Sequence, residues 1–191
     1  MAGVSRGSGL IGSLKAMFGM GAAVDPLDRQ TGLPTRRALH KAIEEGPTPC
    51  SLFLLAIDNL DELRPRYGEE AVDQAYRFVA TRLSIFCRGR LFRVGENRFA
   101  TLYPRQPLAG TESDMAAAVG RLGKLPFRVR SVSRPAALSR EEAMTLRGDA
   151  FEGEEMFLRI RYAGVGAESA AAAANLLHRA EEKLKAAAES G

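Results

Sequence analysis

Seven consecutive residues, Ser-Leu-Phe-Leu-Leu-Ala-Ile at 51 to 57, constrain this chain most. A β-strand sends successive side chains to opposite faces, so a run without polar alternation buries both faces and belongs inside a sheet. Residues 51 to 57 therefore predict a central strand. A helix is predicted over 35 to 43, stopped by Gly46 and Pro47. Another is predicted over 69 to 86, where Val72, Ala75, Tyr76, Val79, Leu83 and Phe86 recur at helical spacing, and it should lie on the sheet. Two short strands at 91 to 94 and 99 to 103 flank Gly95-Glu96-Asn97-Arg98, a hairpin signal. A helix over 113 to 122, strands over 127 to 132 and 156 to 162, and an Ala-rich helix over 169 to 188 complete the reading. Residues 133 to 155 carry Pro, Gly and mixed charge without periodicity, which predicts a long loop or excursion.

Composition limits the function classes. The 191 residues are 46% hydrophobic and 26% charged, as one globular domain with a tail would be. The net charge of +4 comes from 27 basic and 23 acidic residues with no Lys/Arg block, which argues against a nucleic-acid partner. Cys50 and Cys87 stand far apart without a CxxC or a His cluster, so they are read as reduced, buried and inert. No run of about eighteen apolar residues exists, and a soluble, cytoplasmic protein is expected.

Residues 1 to 24 are rich in Gly and Ser, lack acidic side chains, and give way at Asp25-Pro26 to a different composition. That divides the chain into a tail, 1 to 24, and a domain, 25 to 191. Arg6 before Leu10 and Ile11, with Ala22-Ala23 beyond, imitates a secretory signal, but Lys15 and repeated glycines interrupt its apolar centre. Leu10, Ile11, Leu14, Met17 and Phe18 share one helical face. That stripe is the expected contact element, for a protein groove, for self-association including a homodimer, or, as the weakest reading, for a membrane surface, given only Arg6 and Lys15.

Several motifs carry a family resemblance. Asp28-Arg29-Gln30-Thr31-Gly32-Leu33-Pro34-Thr35-Arg36-Arg37 resembles the D-x-L-T-G-L-P-N-R-R opening of GGDEF (diguanylate cyclase) domains. Ala56-Ile57-Asp58-Asn59-Leu60-Asp61 is similar to that family's D-I-D-x-F-K, and Tyr67-Gly68 with Val72-Asp73 falls where it has G-H-x-x-G-D. The signature R-x-G-G-D-E-F appears as Arg93-Val94-Gly95-Glu96-Asn97-Arg98-Phe99, and residues 176 to 184 resemble the closing L-L-x-x-A-D-x-A-L helix. The resemblance implies an α+β fold with a central, mostly antiparallel sheet flanked by helices, related to the palm of nucleotide cyclases.

It also implies a chemistry, the joining of two GTP molecules into cyclic di-GMP, which needs carboxylates on divalent metals and positive groups on the triphosphate. Carried over position by position, the first metal aspartate falls on Ala56 and the acidic pair of the hairpin on Asn97 and Arg98. The second glycine of the motif is Glu96, the guanine-reading Asn is Arg64, the phosphate-side lysine is Asp61, and the lysine of the closing helix is Ala188. Asp73 survives at a second guanine-contacting position, with Gly95 the remaining glycine of the hairpin. The R-x-x-D product-inhibition motif is replaced by Phe86, Cys87, Arg88 and Gly89, a segment expected to pack into the core.

The expectation is thus a catalytically inactive GGDEF-like module without cofactor or metal, acting through protein contacts in a bacterial cyclic di-GMP pathway. The alternatives are a guanine-nucleotide or cyclic di-GMP sensor without turnover, and an active cyclase with unusual ligands drawn from Asp58, Asp61 and Glu96. A lone carboxylate such as Asp58 at a strand end more often caps the following turn than binds metal. His40, His178, Arg36 and Arg37 are read as ordinary helix-surface side chains.

Overall fold

The structure is a computed structural model, and it describes residues 27–129 and 155–189. The apolar tail stripe from Leu10 to Phe18 and residues 133 to 154 of the predicted excursion lie outside the described residues.

In chain order the elements are α1 (Arg36–Glu44), β1 (Cys50–Ile57), α2 (Leu60–Phe86), β2 (Arg90–Gly95), β3 (Arg98–Pro104), α3 (Leu108–Leu122), β4 (Pro126–Arg128), β5 (Glu155–Phe157), β6 (Ile160–Ala167), α4 (Ala170–Ala173) and α5 (Leu176–Glu189). The main sheet runs β2-β3-β1-β6 with every neighbour antiparallel, while β4 and β5 form a separate pair. Strand β1 is interior, and all eight of its residues are buried.

The alternation along β1 builds two cores, one on each face. Phe53, Leu55 and Ile57 pack with Val72, Ala75, Tyr76, Val79 and Leu83 of α2 and Met115 and Leu122 of α3. Leu52, Leu54 and Ala56 pack on the other side with Leu39 and Ile43 of α1 and Leu176, Ala180 and Leu184 of α5. One seven-residue run whose single polar member is Ser51 therefore dictates a helix-sheet-helix sandwich, because each face needs its own cover.

Three elements differ from the sequence reading. Helix α2 starts at Leu60 rather than 69, in two segments broken at Gly68, whose φ of 79° and ψ of 179° are non-helical. Pro65 and Gly68 hid the first segment from periodicity, and glycine supplies the positive φ at the break without steric cost. The single strand predicted over 156 to 162 is two strands in two sheets. Asn59 fixes the crossover: its amide donates to Phe157 O at 2.9 Å and its carbonyl accepts from Arg159 N at 2.9 Å. The Ala-rich helix is likewise two, α4 and α5, with Ser169 capping the first through a bond from Ala172 N.

The smaller differences lie at element ends: α3 begins at Leu108, and β4 spans only Pro126–Arg128. Both cysteines are free and buried, and burial pushes the Cys87 thiol up to about 11.

Candidate functional site

Three stretches meet at one end of the sheet: the close of β1, the two-residue turn between β2 and β3, and the kinked start of α2. A fourth joins them from the N-terminal side. There Asp28 folds a tight turn by accepting from Thr31 N at 2.9 Å and Thr31 Oγ1 at 2.6 Å, and Arg93 N donates to Pro34 O at 2.8 Å. Between them lie two adjoining cavities. The larger, about 370 Å³, has Gln30, Arg36, Asp73 and Gly95 on its wall, and the smaller, about 170 Å³, has Asp58, Asp61 and Asn97. Arg64, Tyr76 and Glu96 belong to both.

Strand register places Ala56 opposite Arg98 of β3 on one side and Arg161 of β6 on the other. Ala56 is buried and flanked across both ladders by arginines. Asp58 does not cap the following turn, as the sequence reading favoured: its carboxylate accepts from Arg161 Nη2 at 2.8 Å. The helix it precedes has Asn59 at its N-cap, and Asn59 is committed to the β5–β6 crossover. Asn97 is tied back to β1, its side chain donating to Ile57 O at 3.4 Å and its carbonyl accepting from Ile57 N at 3.0 Å. Asp61 is almost wholly exposed, 4.0 Å from Arg64.

A divalent cation finds poor terms here. Ala56 has no oxygen to give, Asn97 turns its amide donor toward the strand-end carbonyl, and the carboxylate of Asp58 already carries a guanidinium. Among the described residues, no three His, Cys, Asp or Glu side chains form a metal-holding group. The residues at this end of the sheet do not fit a pair of magnesium ions.

The pairs that organise the site were not legible one residue at a time. Arg64 Nε lies 2.6 Å from Glu69 and its Nη2 2.8 Å from Glu96. The hydrogen bond that Arg64 donates to Glu96, followed by the charge of Glu69, holds the guanidinium above its ordinary pKa. The signal available was complementary charge at two departures from the motif, Arg64 and Glu96. Arg93 is buried with its guanidinium 3.9 Å from the Tyr76 ring centroid and 4.8 Å from that of Phe99, and it donates to Glu96 O. Burial pulls its pKa down and pushes that of Tyr76 up.

Asp73 accepts from Gln30 at 2.7 Å on the wall of the larger cavity. Arg36 is held by Glu181 at 2.7 Å, while His178 is an exposed side chain 3.4 Å from Glu182. At the far end of the molecule, Cys87 is buried, Phe86 packs partly buried on the core, and Arg88 is exposed.

An antiparallel sheet covered by helices on both faces, with a cleft between a hairpin turn and the helix following the central strand, makes an α+β, palm-like domain. The chain belongs to the GGDEF family: the family model described as diguanylate cyclase, GGDEF domain, matches residues 25–139. No curated relative matches the chain.

Solved structures agree in fold. The GGDEF domain of FimX from Pseudomonas aeruginosa is 18% identical with a TM-score of 0.67, over 88% of this chain and 96% of that one. The coiled coil and GGDEF domain of DgcB from Caulobacter crescentus, in complex with c-di-GMP, is 18% identical with a TM-score of 0.71, over 95% and 90%. Diguanylate cyclase SiaD from Pseudomonas aeruginosa, in complex with its activator SiaC, is 18% identical with a TM-score of 0.68, over 95% of this chain and 64% of that one. Among the described residues no helix is long and apolar enough to cross a membrane.

Proposed function

We propose that this chain is a catalytically inactive GGDEF module that works through protein contacts in a bacterial cyclic di-GMP signalling system. One observation carries the reading: at the close of β1, where the resemblance places the family's acidic platform, Ala56 stands between Arg98 and Arg161, with Asp58 paired to the second of these arginines. Phosphoryl transfer depends on positioning and charge neutralisation by metal ions, and cations cannot be gathered where guanidinium groups stand. SiaD is a similar domain found in complex with an activator protein, which lends support to a protein partner here. The proposed contact element is the tail stripe of Leu10, Ile11, Leu14, Met17 and Phe18.

The test is direct. Purified full-length protein incubated with GTP and Mg²⁺ or Mn²⁺ is expected to give no cyclic di-GMP above a heat-killed control by mass spectrometry. Product above that control overturns the reading.

A single restoration should not help either. In Ala56→Asp the new carboxylate would sit across the ladders from Arg98 and Arg161 and be neutralised by them before any cation arrived. Groups that act as a unit are also non-additive, so one recovered ligand among several lost yields nothing measurable. Turnover by Ala56→Asp alone would show that the turn and Arg98 still serve catalysis.

A second reading has its own observation: the cavity of about 370 Å³ keeps Asp73 and Gly95 on its wall. A guanine-nucleotide or cyclic di-GMP sensor would use them without turnover. Thermal shift with GTP and with cyclic di-GMP, in the same samples as the product assay, separates the two readings.

A further inference from the structure

Two charges of opposite sign meet across the cleft of this chain. Arg64 comes from the first segment of α2 and Glu96 from the β2–β3 turn, thirty-two residues later, and their 2.8 Å contact ties the turn to the helix. Glu69, just beyond the break at Gly68, takes the same guanidinium at 2.6 Å. Because Arg64 and Glu96 line both cavities, this contact is also the partition between them.

What lies against the partition is unusual. Tyr76 is 2% exposed and Arg93 6% exposed, both line the larger cavity, and the two stand side by side with neither Tyr76 Oη nor Arg93 Nη1 meeting a partner in good hydrogen-bond geometry among the described residues. Buried polar groups are nearly always satisfied, and orphaned donors mark a place where an acceptor belongs. The Arg93 guanidinium is bounded by the ring faces of Tyr76 and Phe99, the Tyr76 hydroxyl and one backbone carbonyl, with no carboxylate within ion-pair distance among the described residues. Such a group suits an oxygen-rich anion.

We infer that Arg64 and Glu96, braced by Glu69, form an ionic latch: an autoinhibitory contact that divides the cleft and shuts its Arg93–Tyr76 floor against small oxoanions. The carboxylates of Glu69 and Glu96 are 72% and 76% exposed, so the latch is screened by salt and opens without unfolding the domain. The inference goes beyond the non-catalytic reading, and the two fail in different assays, product formation for that reading and labelling for the latch.

Phenylglyoxal, which modifies accessible arginines, followed by peptide mass mapping, reads the floor directly in the full chain. Arg93 in the Arg64→Ala/Glu96→Ala variant should label at least about tenfold faster than in the unaltered protein, as expected for a group freed by local opening. Inorganic phosphate should slow that labelling. The charge swap Arg64→Glu/Glu96→Arg should restore protection, which separates a latch from general loosening, and circular dichroism confirms that each variant is folded. Equal labelling of Arg93 in the unaltered protein and the double Ala variant overturns the latch, as does a charge swap that labels like the double Ala variant. Labelling indifferent to phosphate overturns the oxoanion assignment.

Discussion

Phe53→Ala is expected to destabilise the domain by about 3–5 kcal/mol, the range for emptying a well-packed aromatic site. Phe53 is fully buried at the middle of β1, edge-on to Tyr103 at 5.8 Å and tilted against Tyr162 at 6.4 Å. The site cannot collapse around the loss, because the strand is held on both sides: Phe53 pairs with Thr101 of β3 and Gly164 of β6. A Cβ on Gly164 would lie 2.4 Å from the Phe53 ring, so the ring occupies space that the neighbouring strand leaves by having no side chain. At roughly 2–4 °C per kcal/mol for a domain of this size, the melting temperature should fall by roughly 6–20 °C. Phe53→Leu, which keeps most of the volume, should cost about 1 kcal/mol. Scanning calorimetry of the three proteins checks the ordering, and a fall of under about 2 °C for the Ala variant would mean that the core on this face is not closed by Phe53.

The same strand explains how much of the fold the sequence exposed. A run apolar on both faces has one stable placement, inside a sheet with covers on either side, so the sandwich and the interior position of β1 follow from residues 51 to 57. Periodicity failed where a single residue outweighed a pattern. Gly68 broke α2, and Asn59, a side chain acting 98 and 100 residues away, split the last apolar run between two sheets. Neither event leaves a mark in a sliding window.

The candidate site divides in the same way. Departures from the motif at Ala56, Asn97 and Arg98 were legible because each is read against a known position. The partners of Arg64, Asp58 and Arg93 were not, since each pair joins segments whose approach depends on register and helix position. Glu96 illustrates the cost of reading one residue at a time. The motif marks it only as a residue at the second glycine position, whereas in the structure its carboxylate is engaged by Arg64.

Gly89→Asp is the second change expected to have a large effect, about 3 kcal/mol of destabilisation, at the upper end for overfilling a packed site. By its resemblance to the family's motif Gly89 falls at the aspartate, so the substitution looks like a repair. The geometry makes it damage: a Cβ there would lie 2.5 Å from Thr101 Cγ2, 2.9 Å from Leu102 O and 2.9 Å from Tyr103 Cε2. Two of these contacts are with fully buried side chains, and the third is a backbone oxygen of β3, which would face an added carboxylate with like partial charge.

Strand β3 cannot withdraw, because it pairs with β1 from Arg98 to Pro104 in unbroken register. Restoring the motif in full with Phe86→Arg/Gly89→Asp should therefore lower the melting temperature and bring no gain in cyclic di-GMP affinity by calorimetry, since the new carboxylate displaces the strand before it can meet a ligand. Arg88→Asp, at the exposed neighbouring position, is the control and should stay within about 0.5 kcal/mol of the unaltered protein. Residues 86 to 89 are on this account closed by packing, whatever charges are placed there. Micromolar cyclic di-GMP binding by the double variant, with its stability intact, would show that only the charges are missing.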